Sequence, residues 1–204
     1  ALGVEISVRE TGFELSHRSY VELRDLDFEV FEGEGVNISN SDREADRSYG
    51  ITLAGLDIGW ATRGLFVGQA PVTGSPAGSQ IRHLVLRDSV IHDIDSLSIF
   101  TWTGSGDGWV RPGISDFLVV RNEFARIGFR DNEQGAVGLS FHRADHLLFE
   151  GNWVHDIAHN GVHFSQAQTQ SSRRYDVPAE DILTGDVLVR GNLFERCVQN
   201  ATDA

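Results

Sequence analysis

Three histidines close together in the chain, His142, His159 and His163, carry the strongest chemical signal in this sequence. Imidazole titrates near neutral pH, so a cluster of such rings can act in turn as general base and general acid, above all beside carboxylates such as Asp131, Glu133 and Asp156. The same set could hold a metal ion. The competing reading is of solvated surface histidines with no shared role. What separates the two is whether the fold brings the rings together.

A second group lies in the run from Thr101 to Arg111, which holds Trp102, Asp107, Trp109 and Arg111 among four Ser and Gly residues. Indole faces stack on sugar rings, while carboxylate and guanidinium groups bind hydroxyls or acids. With Ser140 and Arg143, which flank His142, these residues make a candidate substrate-binding set. The alternative for the tryptophans is a small satellite core under the loop.

Composition limits the partners. The 204 residues are 40% hydrophobic and 9% aromatic, as in a globular protein, and span one domain over residues 1–204. A net charge of -13, with every basic residue an arginine, leaves no cluster suited to phosphates and argues against a nucleic-acid partner. No apolar run is long enough to span a bilayer, and no signal-peptide pattern is visible. Cys197 is the single cysteine and has no internal disulfide partner. The start at Ala1 and the end at Ala204, just after a strand with no capping element, lead us to expect flanking sequence, caps or a partner.

The elements that must position these groups are legible as a repeat. A two-residue turn recurs at Asp25-Leu26, Gly55-Leu56, Asp88-Ser89, Arg121-Asn122, Gly151-Asn152 and Gly191-Asn192, between short apolar strands. The strands before it contain Leu23, Leu53, Leu86, Val119, Phe149 and Val189. Those after it begin at Phe28, Ile58, Ile91, Phe124, Val154 and Phe194, and in most repeats a second apolar residue follows three positions later. A third series alternates apolar residues at Val36 and Ile38, Leu65 and Val67, Leu97 and Ile99, Leu139 and Phe141, Val162 and Phe164, with an earlier copy at Phe13 and Leu15. The expected fold is therefore all-β: a right-handed parallel β-helix of about six to seven rungs with three short parallel sheets. Long insertions over 40–48, 69–80, 102–115 and 166–184 gather at one corner, as they would around a binding face.

In the third series the outward positions should align as Asn37, Phe66, Ser98, Ser140 and His163 in one column, and Ser39, Gly68, Phe100, His142 and Ser165 in the next. His142 and His163 then sit on adjacent rungs. Asn122, Asn152 and Asn192 should form a partial hydrogen-bonded ladder, interrupted at Ser89, Leu56 and Leu26. The pairs His92-Asp93 and His155-Asp156 look like duplicated catalytic pairs. The column Asp93, Arg126, Asp156, Arg196 alternates in sign, however, which reads as structural pairing. Asp88, Asp93 and Asp95 are weak candidates for calcium because the turn sets Asp88 apart.

The run Gly151-Asn152-Trp153-Val154-His155-Asp156-Ile157, followed by Asn160-Gly161-Val162, resembles the repeat of parallel β-helix proteins of the pectin-lyase-like superfamily. The resemblance covers about residues 12 to 198. It implies an extracellular or cell-surface protein acting on a polysaccharide or oligosaccharide, by hydrolysis or β-elimination, with a cleft along the third strand series. No cofactor is required by it, and calcium, which assists the pectate lyases, could take part. The polygalacturonase elements Asn-Thr-Asp, Asp-Asp, Gly-His-Gly and Arg-Ile-Lys are not intact, and His159-Asn160-Gly161-Val162 only echoes the third. Lyases of the superfamily use Lys or Arg as base, which leaves Arg111, Arg130 or Arg143 for that role. The expected catalytic set is His142, His163 and His159 with Asp156 and Glu133. The rival expectation is a non-catalytic carbohydrate-binding or structural surface module.

Overall fold

The structure is a computed structural model, and it describes residues 9–40, 47–69, 80–102, 114–128, 137–142, 144–158, 160–165 and 187–197. Among them, sixteen strands follow one another in the chain. They are β1 (Phe13–Ser16), β2 (Glu22–Arg24), β3 (Asp27–Asn40), β4 (Arg47–Ala54), β5 (Asp57–Gln69), β6 (Gln80–Arg87), β7 (Val90–Ile94) and β8 (Leu97–Trp102). The second half comprises β9 (Ile114–Val120), β10 (Glu123–Ile127), β11 (Val137–His142), β12 (Ala144–Glu150), β13 (Trp153–Ile157), β14 (Asn160–Ser165), β15 (Val187–Arg190) and β16 (Leu193–Cys197). The protein is all-β, and every strand pairing is parallel, joining equivalent strands of successive repeats.

The strands preceding the two-residue turn form one six-stranded sheet in the order β15-β12-β9-β6-β4-β2. The other two series are joined, so two sheets appear where three were expected. β3 and β5 run unbroken through the corner between the second and third series, with a register shift between Phe31 and Glu34, and tie the two series into one ten-stranded sheet.

A five-residue unit explains the side-chain pattern. Left-handed backbone recurs at His83, Asp88 and Asp93, at Asp116, Arg121 and Arg126, and at His146, Gly151 and Asp156. Between these points the chain alternates in and out, so Leu84, Leu86, Ser89, Ile91 and Ile94 all face the interior and all are buried. Each left-handed residue turns the chain without breaking it. This is why the second series keeps apolar residues three apart, where a straight strand would place them two apart.

The interior is close-packed and aromatic toward the C-terminal half. Phe117, Phe124, Phe141 and Phe149 are fully buried, and Phe124, Phe149 and Phe194 stack at centroid distances of 6.3 and 6.4 Å. At the start of the third series Gly35, Gly64, Gly138 and Gly161 fall in one column with Ser98. A Cβ on Gly64 would stand 2.5 Å from Ile91 Cγ2 and 2.6 Å from the carbonyl oxygen of Ser98, so the strand can approach the second series only if this position stays small.

The polar ladder is longer than expected. The amide N–H of Asn122 donates to Asn152 Oδ1 (2.9 Å), and that of Asn152 donates to Asn192 Oδ1 (2.8 Å). Ser89 continues the ladder where an interruption was expected. Its N–H donates to Asn122 Oδ1 at 3.0 Å, and its Oγ accepts from the N–H of Leu56 at 3.1 Å. A hydroxyl performs the acceptor role of the amide, so the run extends to Leu56.

Candidate functional site

The third-series strands β1, β3, β5, β8, β11 and β14 lie side by side, and their register aligns Glu14, Asn37, Phe66, Phe100, Ser140 and His163. The neighbouring column runs through Ser16, Ser39, Gly68 and Trp102, and His142 pairs with Ser165. This corrects the expected columns at β8 by two residues. Ile99 and Thr101, not Leu97 and Ile99, occupy the inward positions, which places Phe100 beside Phe66 and Ser140.

Thr101 is the reason. It is fully buried, and its hydroxyl is satisfied by the backbone of His142: it accepts from the His142 N–H at 2.6 Å and donates to the His142 carbonyl at 3.3 Å. A polar residue at an inward position is tolerated because both hydrogen-bonding functions are met.

The outward side chains of these strands form a track. Phe66 and Phe100 meet with ring centroids 5.8 Å apart, Phe100 and His142 at 5.6 Å, and His142 and His163 at 6.0 Å, the last two pairs edge to face. The Arg63 guanidinium lies 5.3 Å from the Phe66 centroid, and its Nη2 is 3.1 Å from Glu34 Oε1. Ser140 Oγ is 2.9 Å from His142 Nε2. The Oδ1 acceptor of Asn37 is buried with no hydrogen-bond partner among the described residues, a state that a ligand donor would relieve.

Of the candidate residues, His142, His163 and Ser140 are therefore brought together. Asp156 is engaged elsewhere. It lies on β13, its carboxylate takes two contacts from the Arg196 guanidinium, one of them to Nη2 at 2.8 Å, and it lies 2.7 Å from His155 Nδ1. Arg196 first, and then His155, holds this carboxyl well below the usual range. His159, Glu133, Asp131, Arg130, Asp107, Trp109, Arg111 and Arg143 lie outside the described residues, as does the side chain of Trp102.

The duplicated His-Asp pairs form two copies of one network. His92 lies between Asp57 (Nε2 to Oδ1, 2.9 Å) and Asp93 (Nδ1 to Oδ2, 2.6 Å), and Asp93 accepts two hydrogen bonds from Arg126 at 2.8 and 2.7 Å. His155 lies in the same way between Glu123 and Asp156, with Arg196 closing the set. Arg126 pushes the Asp93 carboxyl down to about 2, with His92 adding to the shift against the effect of burial. Asp88 is likewise lowered by Arg121 and then Arg87. Arg121 and Arg126 thus join Asp88 and Asp93 to the next repeat.

No known protein family and no curated protein matches this chain. The site must be read from its own geometry. Phe66 and Phe100 belong to it although their side chains carry no reactive group. Their signal in the sequence was the occurrence of large aromatic residues at outward positions of strands whose neighbours there are Asn, Ser and His.

Proposed function

We propose that this chain is a right-handed parallel β-helix of the pectin-lyase-like kind, exported to act on a polysaccharide lying along the β3-β5-β8-β11-β14 track. The observation that carries the proposal is the continuous strip Phe66, Phe100, His142, His163, in which two aromatic rings lead into two imidazoles in contact. Adjacent parallel strands are about 4.8 Å apart, so the strip offers a row of closely spaced contacts along the axis. Aromatic rings present flat apolar faces to sugar rings, while Asn37, Ser140 and the imidazoles address hydroxyls.

Between the two cleavage chemistries, β-elimination fits this arrangement better. Hydrolysis with two carboxyls sets them about 5–9.5 Å apart across the scissile bond. Among the described residues, the carboxylates in the third-series part of these strands, Glu14 on β1 and Glu34 on β3, are three or more strands away from β11. In elimination, one imidazole removes the proton beside the uronate carboxylate and the other protonates the departing glycosidic oxygen, which leaves an unsaturated sugar. His142, fixed by Thr101 and Ser140, suits the first role, and the exposed His163 suits the second.

The test is incubation with neutral and uronate polysaccharides, following reducing ends and the ultraviolet absorbance of unsaturated products together. Both signals rising in step support elimination. Reducing ends alone assign hydrolysis. Binding without either signal assigns a carbohydrate-binding module.

A further inference from the structure

Ser140 and His142 are two residues apart on β11, so both side chains leave the same face of the strand. Ser140 Oγ lies 2.9 Å from His142 Nε2. A hydroxyl within hydrogen-bond reach of an imidazole nitrogen is the arrangement that turns a serine into a nucleophile, provided the imidazole is held in place. The main-chain N–H of His142 donates to the fully buried Thr101 hydroxyl at 2.6 Å, which fixes the strand under the ring, and the ring itself is held between those of Phe100 and His163. His163 is the register partner of Ser140 on β14 and is exposed, so a second imidazole stands next to the hydroxyl.

We infer that Ser140 is a nucleophile activated by His142, and that this face removes short acyl groups from esters on its ligand. Ser140 Oγ attacks the ester carbonyl carbon as its proton passes to His142 Nε2, and His163 donates a hydrogen bond to the oxyanion. The C–O bond to the alcohol then breaks, and the alcohol oxygen takes the proton from His142. Water attacks the acyl-serine, passing its proton to His142. The carboxylic acid leaves, and Ser140 regains its proton. Nothing beyond water is consumed. Ser140 is only 4% exposed, which restricts the acyl group to a small one such as acetyl. That the alcohol is a sugar hydroxyl rests on the polysaccharide reading above, whereas the Ser140-His142 pair requires only an ester.

The experiment treats the full chain with 4-nitrophenyl acetate, quenches it in acid and maps the acetyl adduct by mass spectrometry, and in parallel measures the steady-state hydrolysis of the same ester. The expected result is one adduct, on Ser140, and a fall in ester hydrolysis of at least about 100-fold in Ser140→Ala and in His142→Gln, with circular dichroism and melting unchanged. A folded wild-type protein with no adduct on Ser140, or a Ser140→Ala variant that keeps its esterase rate, overturns the inference. The wild-type adduct decides the matter even if a variant fails to fold. An acetylated uronate polysaccharide separates this inference from the cleavage reading. Acetate release without unsaturated ends supports the inference and removes elimination. Unsaturated ends without acetate release or adduct overturn the inference and leave elimination standing.

Discussion

His142 and His163 touch edge to face at a centroid distance of 6.0 Å although the register pairs His163 with Ser140. The contact is diagonal across two strands and sets two imidazoles side by side, where the proposed cleavage uses both. His142→Ala and His163→Ala should each lower polysaccharide cleavage by about 10²–10⁴-fold, the usual contribution of a positioned acid or base. Since His163 is exposed, its removal should leave the melting temperature unchanged. Product formation and thermal unfolding measured on the same preparations check both statements.

Phe66 and Phe100 should act on binding more than on turnover. Replacing either by Ala removes a stacking face worth about 0.5–1.5 kcal/mol, which corresponds to a rise in KM of roughly 2- to 13-fold with kcat little altered. Initial rates over a range of polysaccharide concentration separate the two constants.

Asn152→Ala should destabilise strongly. It removes the acceptor of the buried Asn122 N–H as well as the donor to Val119 O (2.9 Å), at a cost of about 2–3 kcal/mol. For a chain of this size that is a fall in Tm of roughly 4–12 °C. Asn152→Ser should recover part of the loss, because Ser89 already performs the acceptor role at the equivalent place in an earlier repeat. Calorimetry on the two variants tests the comparison.

Acid should weaken the Asp93-Arg126 link. The folded state holds the Asp93 carboxyl at about 2, below its ordinary value of 3.8, so the ionised form is favoured by folding. The resulting stability is complete above the ordinary value and is lost as the pH falls from there toward 2. Arg126 is half exposed, which keeps the link to about 1 kcal/mol or less. The urea midpoint of Asp93→Asn should therefore approach that of the wild type on acidification.

Val30 adopts a left-handed conformation at φ 63°, which is unfavourable for a β-branched residue by about 1–2 kcal/mol. Its equivalents in later repeats are Trp60, Asp93, Arg126, Asp156 and Arg196. Val30→Gly removes this strain, partly offset by the greater entropy of unfolded Gly, and should stabilise by roughly 0.5–1 kcal/mol. Chemical denaturation measures it.

The repeat was legible because inward positions such as Leu84, Leu86 and Ile91 are apolar in one copy after another. The five-residue left-handed units were not, because His83, Asp93, Arg126 and Val30 carry no common residue type that marks such a backbone. The register of β8 was misplaced by Thr101, a polar residue whose partners lie on another strand. Ser89 hid its place in the ladder in the same way, by doing the work of an asparagine with a hydroxyl. At the site, the nearness of His142 and His163 followed from the repeat. The pairing of Asp156 with Arg196 was legible in the alternating charge column through Asp93, Arg126, Asp156 and Arg196.

The most direct test of the polysaccharide track is hydroxyl-radical footprinting of the protein with and without a bound uronate oligosaccharide, read residue by residue. The account predicts protection of Phe66, Phe100, His142 and His163, with Trp60 and Trp153, which lie outside the track, oxidised as before. Protection centred on Trp153 and His155, or no protection at saturating oligosaccharide, would contradict it.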